Sequence, residues 1–120
     1  MGDFEHDRKV VLMICIIPMQ AIPNHSFYAV VPIDGGNTNL GFRLMYNELA
    51  NYWIVDISKD EEVVLSGLPM VPAQNILEQF KYLGIGSAAI VPRSDIEEQW
   101  PSFGTLSSDW YVIWGDTNAG

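Results

Sequence analysis

The chain is poor in the residues that most protein chemistry requires. Cys15 is the single cysteine, so neither a disulfide framework nor a thiolate metal site can be closed within one copy. The two histidines, His6 and His25, stand in none of the HxH, HxxxH or HExxH patterns that converge imidazoles on zinc. Basic residues number six against fifteen acidic ones, a net charge of −9 over 120 residues. Such a field repels phosphate backbones and anionic lipid, which argues against nucleic-acid and membrane partners. Long apolar runs are also missing. The run VVLMICII at 10–17 is far shorter than the roughly 20 residues that span a bilayer. It imitates the core of a signal peptide, but MGDFEHDRK before it carries three acids against two bases, and QAIP after it is a poor cleavage site. We read it as a first β-strand of a protein made in the cytoplasm, with Cys15 acting as a small buried hydrophobe.

What is present is enough for one core. Hydrophobic residues make up 48% of the chain, with 4 Trp, 5 Tyr and 5 Phe; that exceeds what a disordered segment carries, and the length suits a single domain. The dominant period is two, broken by turn residues at intervals typical of antiparallel sheets. The pattern predicts strands at 10–17, 26–33, 39–47, 52–58, 62–67, 87–92 and 108–115. The fold expected is therefore all-β, an antiparallel barrel or sandwich of about seven strands. DGGNTN between the second and third supplies glycine and asparagine for positive φ. Phe42, Leu44 and Tyr46 share one face of the third strand, and Trp53, Val55 and Ile57 one face of the fourth. The short connection NELAN pairs the two, and KDEE at 59–62 turns the chain into a further strand. One short α-helix is predicted over 72–84, with Pro72 early, Ile76, Leu77 and Phe80 on one stripe and Gly84 ending it. Residues 1–9 and 116–120 are expected to be flexible tails around a single domain at 10–115.

Catalytic constellations are hard to assemble from this material. LGIGS at 83–87 lacks the full spacing of a dinucleotide loop, and its glycines suit a tight exit from the helix. Ser66 is not in a nucleophile elbow, and no Asp/His pair is placed to complete a triad. Asp56, Asp95, Glu97 and Glu98 offer carboxylates of the glycosidase type, yet Asp56 fits better as a polar strand position across from Arg43. The runs KDEE and SDIEE (94–98) read as solvated turns. Trp53, Trp100, Trp110 and Trp114 leave two readings open. They form a carbohydrate-stacking platform if several are exposed together, or they fill the core and an interface, where tryptophan is enriched. Trp100, in the long loop before the last strand, is the strongest candidate for an exposed anchor, with Phe103 beside it.

The order FRLMYN, YWIVDI, a short turn, VVLSGLPM, NILEQFKYLGIG and FGTL before an aromatic strand resembles the phage baseplate plug family of cyanophage-type contractile tails. The resemblance covers about residues 12–115. Phe42, Leu44, Tyr46 and Asn47 match the family's first hairpin strand, and Trp53, Asp56 and Ile57 its second. Gly67, Pro69, Leu77, Tyr82, Leu83 and Gly84 match the turn and helix that follow. The chain departs from the pattern in carrying KDEE where the family has a DG-type turn, and SFGTL for its N-L-G-T segment. What the resemblance implies is a non-enzymatic virion protein of the tail baseplate, present in several copies, without cofactor or metal. Its partners would be baseplate, hub or tail-tube proteins and further copies of itself. It implies no catalytic residue; Phe42, Tyr46, Asn47, Trp53, Asp56, Gly67, Pro69, Leu83 and Gly84 are framework positions, and Trp100 and Phe103 candidate contacts. A carbohydrate-binding module using exposed tryptophans is the alternative.

Overall fold

The computed structural model describes residues 14–94, 99–106 and 108–118. The strands are β1 (Ile14–Ile17), β2 (His25–Ile33), β3 (Gly36–Asn47), β4 (Tyr52–Lys59), β5 (Glu62–Pro69), β6 (Ser87–Pro92) and β7 (Trp110–Gly115). They form two antiparallel sheets, a four-stranded one ordered β2-β3-β4-β5 and a three-stranded one ordered β1-β7-β6. The all-β expectation holds, as a sandwich and not a closed barrel.

Alternation builds the core between the sheets. On β3 and β4 the residues Leu40, Phe42, Leu44, Trp53, Val55 and Ile57 point inward and are almost wholly buried. From the other sheet Ile17, Ala88, Ile90, Trp110, Val112 and Trp114 meet them. The Phe42 ring meets Trp114 edge-on at 5.2 Å and stacks on Phe27 at 5.1 Å. Withdrawing an indole such as Trp53 from water removes roughly 150–250 Å², an upper gain of about 4–6 kcal/mol at about 25 cal/mol per Å². Cys15 is partly buried against this core, and burial pushes its thiol above the ordinary range.

The turns are tighter than the sequence suggests. Ile33 pairs directly with Gly36, so only Asp34 and Gly35, with φ of 51° and 84°, make the bend. The rest of GNTN belongs to β3. Asp34 is in turn clasped to the end of the chain. Its amide donates to Asp116 Oδ1 at 2.8 Å, while the Thr117 amide donates to Asp34 Oδ1 at 2.9 Å. Two residues of the segment expected as a loose end are thus tied to the β2–β3 turn. Residues 1–13, which include His6 and the predicted start of the first strand, lie outside the described residues, as do Asp95, Glu97 and Glu98.

The expected α-helix is corrected to a 3₁₀ segment, Glu78–Leu83, with non-helical φ/ψ at Phe80. Asn75 is the reason. Its side-chain oxygen accepts from the amides of Leu77 (3.0 Å) and Ala88 (3.1 Å), and the Ile76 amide donates to the Ala88 carbonyl (2.9 Å). Residues 75–77 are therefore pinned along β6, where a helix starting at Pro72 cannot wind. Leu77 is buried in the core and Ile76, Phe80 and Leu83 pack against it, so the apolar stripe is used without the helix.

Candidate docking surface

The β3–β4 connection is built around Asn47. Its side-chain oxygen accepts from the amides of Leu49 and Ala50, both at 3.1 Å, and its carbonyl accepts from Asn51 at 2.8 Å. This local bonding satisfies donors that would otherwise need water and fixes the bend, a role for which asparagine suits turns. The consequence is that Leu49 is held at the tip with 98% of its surface exposed.

The loop before β7 is latched onto this hairpin. The Trp53 indole N–H donates to the Ser102 carbonyl at 2.9 Å, and the Trp100 indole N–H donates to the Asn51 carbonyl at 2.8 Å. Phe103 lies parallel to the Trp53 ring at 5.7 Å and meets Tyr46 edge-on at 5.1 Å, while Tyr46 meets Trp53 edge-on at 5.3 Å. Offset and edge-to-face pairs of this kind contribute about 0.5–1.5 kcal/mol each beyond area burial. Within the loop, the Ser102 amide donates to Thr105 Oγ1 at 2.9 Å, and Leu106 is buried. Phe103 nonetheless keeps 51% of its surface exposed. Leu49 and Phe103 thus project from one end of the sandwich, on a base bonded to the core through Trp53. The opposite end carries the turns at Asp34–Gly35 and Asp60–Glu61, and is acidic.

The other sequence-selected residues divide between core and frame. Phe42 and Trp53 are core residues, as are Trp110 and Trp114. An exposed platform of tryptophans is therefore ruled out; Trp100 is half-buried with its N–H engaged. Asp56 lies across from Arg43 in the sheet register, and its carboxylate accepts the Gly67 amide at 2.8 Å where the β4–β5 register shifts. Gly67 has φ +72°, which suits glycine at such a bulge. Pro69 closes β5 opposite Ile54. Gly84 ends the 3₁₀ segment in the left-handed region. His25 stacks on Phe27 at 5.8 Å. Sequence reasoning missed Leu49, whose exposure depends on Asn47 fixing the tip, and the latch, which joins residues 49 positions apart.

Among the described residues no group of three or more His, Cys, Asp or Glu could hold a metal ion, and no helix is long and apolar enough to cross a membrane. The family model described as cyanophage baseplate Pam3 plug gp18 matches residues 14–117. No curated protein matches the chain.

Proposed function

The chain belongs to the cyanophage baseplate plug family, and from that premise we propose that it is a non-enzymatic structural subunit of a contractile phage tail. It resides in the virion baseplate and acts through contacts with hub, tube or other baseplate proteins, in several copies per tail. The observation that supports the docking role is that Leu49 and Phe103 are both exposed at one end of the sandwich, where two indole hydrogen bonds latch the loop to the hairpin. Side chains presented on a preformed base lose little ordering entropy when they dock, which favours an interface at this end. Trp100 serves this end from behind, by holding the loop to Asn51. The acidic end suits contact with water or with a basic neighbour.

Mass spectrometry and cryo-electron microscopy of purified particles test the assignment, with the chain expected in the baseplate density. Particles that lack it would remove the structural role. Complementation with Leu49→Asp and Phe103→Asp tests the docking end. Leu49→Asp is expected to leave the fold unchanged, since the side chain is 98% exposed, whereas Phe103→Asp also removes the ring contacts with Trp53 and Tyr46, so its folding is checked by circular dichroism; both are expected to be absent from tails. Normal incorporation of both would move the contact elsewhere.

A further inference from the structure

β1, β2, β5 and β6 each have a sheet neighbour on one side only. An open strand edge is a row of unpaired amides and carbonyls to which other chains add, and proteins commonly blunt it. Here β1 is only four residues long. β5 leaves an acidic turn and shifts register twice against β4. On β6 the Ala88 amide donates to Asn75 Oδ1, the Ala88 carbonyl accepts from Ile76, and the strand ends at Pro92. The edge of β2 is left regular. Its nine residues, HSFYAVVPI, include no Asp, Glu, Lys or Arg, and they pair with β3 without a shift from His25 to Ile33. The two-residue bend makes Ile33 and Gly36 a bonded pair, so alternation turns the main-chain groups of Phe27, Ala29 and Val31 toward β3 and those of Ser26, Tyr28 and Val30 outward. Pro32 falls in the outward set, where its missing N–H removes no ladder bond. Among the described residues nothing bonds the outward groups. Ser26 is exposed, and Tyr28 and Val30 each keep 65% of their surface open.

We propose that β2 takes up an extended segment of another tail protein as a further strand of the four-stranded sheet, a reading that rests on the baseplate role. Main-chain bonds to Ser26, Tyr28 and Val30 hold the segment, and the Tyr28 and Val30 side chains select apolar residues beside them. Charge decides the occupant. A second copy brings its own −9 and is repelled as a whole, whereas a segment of unlike charge is drawn in. β2 runs into the turn at Asp34, whose amide is bonded to the Asp116 carboxylate. The segment that fits is therefore uncharged along its middle, with Lys or Arg at the flank beside that turn. Position agrees with the docking end. His25 lies opposite Leu44, which leads along β3 into the Leu49 hairpin, so a neighbour seated on Leu49 and Phe103 meets the start of β2.

Hydrogen exchange of the purified full chain tests the open edge. The amides of Ser26, Tyr28 and Val30 are expected to exchange fast, and those of Phe27, Ala29 and Val31, bonded to β3, slowly. Slow exchange at all six would show the edge already covered, by the chain itself or by a second copy, and would overturn the inference. Complementation of tails with Val30→Pro and Val30→Ala tests the occupant. Both shorten the side chain, but only proline removes the outward N–H, at a position opposite Asn39 where the ladder has no bond. With folding checked by circular dichroism, Val30→Pro is expected to reach tails at least about fivefold less than Val30→Ala, the effect of one main-chain bond. Cryo-electron microscopy of wild-type particles is expected to show a strand of another protein about 4.8 Å from β2, and this density decides alone if the proline variant does not fold. Equal incorporation of the two variants overturns the inference, as does density showing solvent or a second copy beside β2. Either result leaves the baseplate role standing; wild-type chain missing from the particles would remove that role and the inference with it.

Discussion

The turn between β4 and β5 offers a measurement in which strain and charge can be separated. Lys59 pairs with Glu62, so Asp60 and Glu61 alone make the bend, with φ of 51° and 71°. A two-residue bend with both residues left-handed is the hairpin geometry that favours Asp-Gly or Asn-Gly. A side chain held there costs about 1–2 kcal/mol, somewhat less for Asp, whose short polar side chain bonds locally. Glu61→Gly removes that cost but adds back about 0.5–1 kcal/mol of chain entropy in the unfolded state. The net expectation is a gain of about 0.5–1 kcal/mol, or about 2–5 °C in Tm for a domain of this size. The substitution also deletes one of three adjacent acids, so Glu61→Ala is the control: it removes the same charge and keeps the strained φ. Thermal and urea denaturation should place Glu61→Gly above Glu61→Ala by at least about 0.5 kcal/mol. Equal stability of the two variants, or a Gly variant below wild type, would refute the reasoning.

Gly86 and Gly35 both have positive φ, 87° and 84°, but a Cβ at Gly86 would lie 2.4 Å from the Gly115 carbonyl oxygen, whereas one at Gly35 meets nothing within 4 Å. Gly86→Ala should therefore lower stability by about 2–4 kcal/mol, strain plus overpacking, and Gly35→Ala by only about 1–2 kcal/mol; equilibrium urea unfolding of the pair checks the difference. Trp53→Phe keeps an aromatic ring but leaves the Ser102 carbonyl without its 2.9 Å donor and opens space beneath Phe103, a cost of about 2–4 kcal/mol. Hydrogen exchange should rise first in residues 99–106, and uniform loosening of the whole domain would contradict the latch.

Much of the fold is written in local pattern. Alternation in FRLMY and WIVDI assigns Phe42, Leu44, Trp53, Val55 and Ile57 to the interior, and all five are there. Turn chemistry places bends within 34–39 and at 47–51, the first narrowing to 34–35 because Ile33 already pairs with Gly36. The helix failed because periodicity counts apolar residues and is blind to a competing side-chain bond. Asn75, three residues into the predicted helix, spends its oxygen on Leu77 and Ala88, and nothing local to the sequence says that β6 will be within reach. The candidate docking end is only partly legible in the sequence. Trp100 and Phe103 stood out as aromatics in an irregular loop, but the bonds of Trp53 to Ser102 and Trp100 to Asn51 cross 49 positions, and only the packed sandwich brings them together.

A part that must hold a seat in a large assembly needs its contact residues fixed before contact, since each side chain ordered on docking costs about 0.5–1.5 kcal/mol. Here the fixing is done inside the domain. Asn47 sets the tip, Trp53 reaches from the core to the loop, and Trp100 returns a bond from the loop to the tip. Leu49 and Phe103 are consequently exposed without being carried on a free segment. The same fixing recurs among the described polar residues: Asp34, Asp56, Asn75 and Asp116 each accept a backbone amide on a side-chain oxygen at bends and bulges. Side-chain oxygens bonded to backbone amides in this way brace the bends and bulges that set the frame.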